Sequence, residues 1–254
     1  MIQLDLKGKK ILVTGASNGI GKSIAGFLMR MGATVAVHYN TDTTSANRLI
    51  TTFPETKSKS FKADLGNQNE VENLFKNVID TFGGLDSIVL NAGIFLAHST
   101  RKDTHDWYAT WKKTMDVNLN SVGLLTKLGI DHFVKKNQGT FVFIGSRAVF
   151  RGETEEYLAY AASKGGLVAL ARSVARSFGK QNIKSFVVSP GFTRTQMAEQ
   201  FIEDHGEEKV LSELALNRLT TPEDIAPMVG MMCSGYMDHA TGATIDINAG
   251  SHIR

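Results

Sequence analysis

Tyr160 and Lys164 stand four residues apart in the stretch YAASKGGLVALARSVA, whose composition and apolar spacing are those of a helix. Residues four apart share a helix face, so a phenol and an ammonium group are expected side by side. A free tyrosine titrates at about pH 10, and a neighbouring positive charge favours the phenolate. Such a pair can pass a proton to or from an oxygen whose charge changes during a reaction. Tyr157 lies nearby, but Ala161 occupies its matching offset, so Tyr160 is the better candidate. Alone, the pairing is common on helix surfaces.

A second chemical feature lies near the N-terminus. The apolar run Lys10–Thr14 leads directly into Thr14-Gly15-Ala16-Ser17-Asn18-Gly19-Ile20-Gly21 and then into an amphipathic pattern at Ile20–Met31. Glycines between a strand and a helix let the backbone turn sharply and approach a pyrophosphate, whose charge then meets the helix N-terminus. The spacing is G-x-x-x-G-x-G, not the G-x-G-x-x-G of the general dinucleotide fingerprint.

The elements that must position these groups alternate along the chain. Strands are expected at Lys10–Thr14, Thr34–His38, Ser58–Lys62, Ser87–Leu90, Thr140–Ile144, Lys184–Val188 and Thr244–Ile247. Helical patterns lie between them, among them Ile20–Met31, Glu70–Thr81 and Tyr157–Phe178. This alternation predicts an α/β fold, a doubly wound parallel sheet with helices on both faces. No repeat or linker divides residues 1–254, which reads as one domain. Only Phe192–Leu216 interrupts the pattern; it is polar, helical in spacing, and follows a Pro-Gly turn.

Composition narrows the function classes. A net charge of +3 with scattered lysines offers no basic stripe for nucleic acid. Cys233 is the only cysteine, which rules out an internal disulfide. The histidines, including His98, His105 and His132, form no ligand-spaced cluster, so no metal site is expected. No apolar run reaches the roughly 18 residues of a membrane span, and the first residues lack a secretory signal. The protein is expected to be cytoplasmic.

Further motifs join the first two in order: Asp64-Leu65, Asn91-Ala92-Gly93, Asn118, Ser146, Tyr160-x-x-x-Lys164, Pro190-Gly191 and Thr241-Gly242-Ala243-Thr244. Together they resemble the short-chain dehydrogenase/reductase family over nearly the whole chain. The resemblance implies a single Rossmann-type domain of about seven strands that moves a hydride between NAD(P)(H) and a carbonyl or alcohol. It makes Tyr160 the general acid/base and gives Lys164 the nicotinamide ribose. Ser146, read as ending the fifth strand on the ligand edge, would orient the substrate oxygen; its alternative is a serine closing a turn. Asn118 would distort its helix and hold a water linking Lys164 to solvent, although Asn120 shows that an exposed helical asparagine is another reading.

The resemblance also distributes the cofactor. Gly15, Ser17, Asn18, Gly19, Ile20 and Gly21 would take the pyrophosphate. Asp64 and the Leu65 backbone would take the adenine, unless Asp64 caps a helix near Gly66 and Asn67. Asn91, Ala92 and Gly93 would pack on the ribose, while Pro190, Gly191, Thr193 and Thr195 would hold the nicotinamide end. Residues 192–216 would form a substrate lid whose Met197, Phe201 and Ile202 either line a pocket or pack the lid.

Tyr39, followed by Asn40, occupies the position where an acid would select NAD, and Asp42 falls late enough to cap the next helix. That tips the balance to NADP(H) over NAD(H), although Asn18 replaces the basic residue of many NADP users. A 3-oxoacyl thioester is the leading substrate, with sugars, polyols and polycyclic alcohols next. A homotetramer is expected. The competing reading is a catalytically silent dinucleotide-binding sensor or scaffold. Two segments are longer than in the acyl-thioester reductases otherwise resembled: Gly93 to Asn118 by about three residues, and Ser146 to Tyr160 by one.

Overall fold

The computed structural model describes residues 4–195, 198, 202 and 206–254. Seven strands form one parallel sheet: β1 (Lys10–Val13), β2 (Thr34–Tyr39), β3 (Lys59–Lys62), β4 (Ser87–Leu90), β5 (Gly139–Ile144), β6 (Ile183–Pro190) and β7 (Thr244–Ile247). Their order across the sheet is β3-β2-β1-β4-β5-β6-β7. The chain winds outward one way from β1 and then restarts at β4. The β1/β4 boundary is thus the switch point beyond which ligands bind in doubly wound sheets.

The helices are α1 (Gly19–Arg30), α2 (Thr43–Thr51), α3 (Gln68–Phe82), α4 (Thr104–Met115), α5 (Ser121–Lys136), α6 (Ala148–Arg151), α7 (Leu158–Phe178), α8 (Glu207–Leu211) and α9 (Pro222–Ser234). Alternate strand residues face opposite sides of the sheet. Val13, Val37, Val142 and Val188 pack on one face with Ile24 and Leu28 of α1 and Val229 of α9. Leu12, Ile88, Phe141, Phe143 and Val187 pack on the other with Leu74 of α3, Leu125 of α5 and Leu167 of α7. The central strands are buried on both faces, which is why they read as continuous apolar runs.

Expected boundaries shift by a residue or two at most elements. β6 is the largest change, extending to Pro190 because its last four residues pair with β7. Of the helical spacing in 192–216, the described residues form only α8 as a continuous helix. Met197 and Phe201 lie outside the described residues.

Candidate active site

The loop after β1 is shaped by backbone. Gly15 and Gly19 lie at φ of 63° and 51°, the left-handed region that glycine enters without steric cost. A Cβ on Gly21 would stand 2.1 Å from the Gly15 carbonyl oxygen and 2.4 Å from Asn91 Nδ2, so only glycine lets the loop close there. Asn91, across the switch point, completes it: Nδ2 donates to the carbonyls of Thr14 (2.9 Å) and Gly15 (3.1 Å). Thr14 Oγ1 in turn accepts from the N–H groups of Asn91 (2.9 Å) and Ala92 (3.0 Å). Asn18 gives α1 no side-chain cap. The helix therefore presents N–H groups and a positive dipole end that suit a pyrophosphate, and these residues fit a dinucleotide.

His38 in β2 has no counterpart in the motif reading, because one histidine in an apolar strand carries no spacing signal. Its buried ring accepts from Gly15 N–H at Nδ1 (2.9 Å) and meets the Ala63 carbonyl at Nε2 (3.1 Å). An acceptor at Nδ1 and a donor at Nε2 define one neutral tautomer. Burial drives its pKa down to about 4. The ring thus ties the glycine loop to the end of β3.

The adenine-side residues divide. Tyr39 closes β2 and packs into the core, while Asn40 is exposed beyond it. Asp42 caps α2 by accepting from Ser45 N–H (2.9 Å). Asp64 is exposed, with Oδ1 accepting from Gly66 N–H (2.9 Å), and Leu65 beside it is buried. The cap of α3 is Asn67, which accepts from Asn69 and Glu70, so the capping alternative for Asp64 does not hold.

Ser146, Tyr160, Lys164 and Asn118 gather beyond the ends of β4 and β5. Ser146 does not end β5: the strand stops at Ile144, and Ser146 lies in the turn before α6, where its Oγ accepts from Ala148 N–H (3.1 Å). Tyr160 and Lys164 occupy successive turns of α7, with Lys164 Nζ 5.8 Å from the Tyr160 ring centre. Nζ is buried and donates to the Ile144 carbonyl (2.8 Å).

Asn118 sits in a π-helical turn, Asp116–Asn120, inserted between α4 and α5. Single π turns are frequent at functional sites. Its buried amide accepts from Ile94 N–H (2.8 Å) and donates to the Ile94 carbonyl (2.9 Å) and Ser163 Oγ (3.2 Å). A Cβ on Gly93 would lie 3.4 Å from Asn118 Oδ1 and 3.5 Å from Lys164 Nζ, which marks how closely these three pack. Asn120 instead donates to the Asp116 carboxylate (2.9 Å).

One expectation reverses. The net direction at Tyr160 is upward: burial raises the phenol to about 12 despite a hydrogen bond from Ser146 that favours the phenolate. Burial likewise lowers Lys164 to about 8. Removing water penalises both charged forms and outweighs the proximity that spacing predicts.

Beyond β6, Gly191 N–H donates to the Ile247 carbonyl and Thr193 pairs with Thr220. The Thr195 methyl lies 3.5 Å from where a Gly19 Cβ would be, so this segment returns to the glycine loop. Ile202 is partly buried. On the far side of Tyr160, Phe95 packs edge-on to its ring (centroids 4.8 Å) and stacks on Tyr157 (3.8 Å).

A family model described as enoyl-(acyl carrier protein) reductase matches residues 15–252. The chain belongs to the short-chain dehydrogenase/reductase family. It is 31% identical to the 3-oxoacyl-(acyl-carrier-protein) reductase FabG of Vibrio cholerae, over 98% of this chain and 100% of that one. It is also 31% identical to nodulation protein G of Rhizobium sp. (strain N33), over 97% and 98%. A short chain dehydrogenase from Burkholderia cenocepacia J2315 in complex with NADP superposes with a TM-score of 0.87 at 29% identity, covering 97% of this chain and 98% of that one. As a short-chain dehydrogenase/reductase the chain is an NAD(P) oxidoreductase of CH–OH and C=O groups.

The long segment from Gly93 to Asn118 adds a structure that the family motifs do not predict. His98, fully buried, accepts from Ala159 N–H at Nε2 (3.2 Å), and its backbone N–H donates to the Glu156 carbonyl (2.9 Å). Trp107 and Trp111 of α4 stack on each other (5.2 Å) and flank the imidazole. Thus the segment grips the start of the helix that carries Tyr160. Asp103, His105 and Asp106 do lie close enough together for a cation. All three are exposed, and Asp103 already caps α4. Among the described residues no helix is long and apolar enough to cross a membrane.

Proposed function

We propose that the chain is an NAD(P)(H)-dependent carbonyl reductase or secondary-alcohol dehydrogenase in which Tyr160 exchanges a proton with the substrate oxygen. The observation that carries this reading is the convergence of Ser146, Tyr160, Lys164 and Asn118 beside the switch point, next to a glycine loop that fits a pyrophosphate. Bound nicotinamide supplies or accepts the hydride. Tyr160, held at about 12, stays protonated at neutral pH and is loaded as a donor for reduction. The Ser146 hydroxyl orients the substrate oxygen and shares its developing charge. Lys164, at about 8, keeps most of its charge at neutral pH and stabilises the phenolate left after transfer. Asn118 fixes the turn at Gly93 and Ile94 against α7, holding the pieces in register.

In the same reading, Gly15, Ser17, Asn18, Gly19, Ile20 and Gly21 hold the pyrophosphate, and Asp64 with Leu65 holds the adenine. Asn91–Gly93 pack on one ribose, Lys164 binds the other, and Pro190, Gly191, Thr193 and Thr195 meet the nicotinamide. Residues 192–216 form the lid. NADP(H) is the preferred cofactor because Tyr39 and Asn40 put no carboxylate against a 2′-phosphate and Asp42 is occupied as a cap. The relative solved with NADP supports that choice. The curated relatives make 3-oxoacyl thioesters the first substrates to try.

The test is nicotinamide absorbance against a panel of ketones and alcohols. Tyr160→Phe is expected to lower kcat by about 10²–10⁴-fold, the usual weight of a general acid. A mutant as fast as the wild type would remove Tyr160 from the reaction. We also assign a cytoplasmic homotetramer. A groove between α5 and α7, lined by Thr126, Ile130, Val134, Leu170 and Phe178, supports this assembly. A single-chain mass in solution scattering would overturn it.

A further inference from the structure

The turn after Ser146 carries a charge that proton transfer does not use. Arg147 follows Ser146 directly, and its backbone N–H is fixed on the Pro190 carbonyl (3.0 Å). Its side chain is 12% exposed, which is little for a guanidinium that carries five donors. Nη2 reaches Glu213 Oε2 at 3.3 Å, and that same oxygen accepts from Arg151 Nη1 at 2.8 Å. Nη1 of Arg147 is buried with no acceptor among the described residues. One carboxylate oxygen thus serves two arginines, while half of the better buried fork is unused. A buried donor left without a partner is costly, and a guanidinium fork matches both oxygens of one carboxylate.

The location points to substrate. Glu213 belongs to the 192–216 segment and reaches across to the turn and short helix α6 that carry the two arginines. Glu153, partly buried in the loop after α6, feels the charges of both arginines, and its own charge reaches the Tyr160 hydroxyl. Arg147 adjoins Ser146, whose Oγ is held by Ala148 N–H in the same turn, and its own backbone is tied to Pro190, so it lies in the turn that carries the serine of the reading above. Glu213 is the more exposed carboxylate, on a separate segment, and can be exchanged for a ligand without uncovering a buried acid.

We propose that Arg147 recognises a carboxylate carried by the substrate near its reacting carbon, and that this carboxylate takes the place of Glu213. The substrate class becomes a 3-oxo or 3-hydroxy acid, or a similar small oxo acid, in its free form. A thioester at the same carbon carries no such charge. The exchange keeps the balance of two arginines against Glu153 and one further carboxylate, with Arg147 gaining a bidentate partner. Arg151 stays near the surface to draw the anion in. This assignment rests on the hydride-transfer reading for the chemistry, but its recognition element can be tested separately.

Matched oxo acids and their methyl esters, assayed with NADPH, read the preference directly. The wild type is expected to favour acid over ester by at least about tenfold in kcat/KM, and Arg147→Met to collapse that ratio toward one, with Arg147→Lys recovering part of it. Equal use of acid and ester by the wild type, or a ratio unmoved in Arg147→Met, overturns the proposal. Calorimetry of malonate on the NADP-loaded protein gives a readout that needs no turnover. Malonate is expected to bind the wild type, to weaken at least about tenfold in Arg147→Met, and to tighten several-fold in Glu213→Gln, where the internal competitor is gone. Absence of malonate binding to the wild type, or tighter binding of inorganic phosphate, overturns the carboxylate assignment. No turnover of any panel member, with malonate still bound through Arg147, breaks the hydride-transfer reading and leaves this site standing.

Discussion

Each half of the molecule is anchored by a buried histidine, and the two are satisfied differently. On the nucleotide side both His38 nitrogens have partners, the Gly15 N–H and the Ala63 carbonyl. On the substrate side His98 uses only Nε2, on Ala159 N–H; its Nδ1 and the indole nitrogen of Trp107 find no partner among the described residues. Arg147 Nη1 adds a third such atom in the same half. Buried polar groups are normally paired, so a half with unspent donors is one shaped for something besides its own folding. The difference separates a cradle closed by backbone from a pocket walled by side chains.

Acid is the strongest way to break the nucleotide half. Below about pH 6.5 an unfolded histidine takes up a proton, whereas buried His38 refuses one until about pH 4. The unfolded chain thus binds more protons in this window, and stability falls as the pH drops through it, by up to about 3 kcal/mol. Protonation at Nδ1, which the folded ring accepts only near pH 4, also removes the acceptor of Gly15 N–H, so dinucleotide affinity is expected to fall only at the acid end of this range. Urea unfolding and nucleotide titration between pH 7 and 4 measure both. Subtracting the same series for His38→Gln isolates this ring from the carboxylates, and parallel curves for the two proteins would show that His38 does not gate the loop.

The same contrast explains what the sequence discloses. The sheet is legible because every central strand must be apolar on both faces, as Ile11–Val13 and Phe141–Ile144 are. The glycine loop is legible because backbone geometry at Gly15, Gly19 and Gly21 admits almost no other residue. Tyr160 and Lys164 are found by helical spacing together with family order, but their titration is not. It depends on the removal of water, which reverses the direction that adjacency alone gives. His38, Phe95, His98 and Arg147 escape notice for a related reason. Each acts through a partner between 23 and 66 positions away, and no local pattern encodes that pairing.

The smallest effect comes from the clip at His98, and it bears most directly on the two-part division. Ala159 N–H is one of the first amides of α7, which no helical carbonyl can satisfy. His98 supplies the acceptor from the long segment 61 residues upstream, at the amide one position before Tyr160. His98→Phe keeps the bulk against Trp107 and Trp111 but leaves that amide unpaired, at a cost of about 1–3 kcal/mol in stability. Because the clip holds the Tyr160 end of α7, kcat is expected to fall about tenfold, the ordinary scale for a small misplacement of a catalytic group. Dinucleotide affinity should not move, since the glycine loop is held from the other side by His38 and Asn91. His98→Gln, whose side-chain oxygen can accept the same N–H, should recover kcat. Should cofactor affinity fall in step with kcat, or glutamine restore stability but not rate, the halves are not separable and His98 only folds the segment.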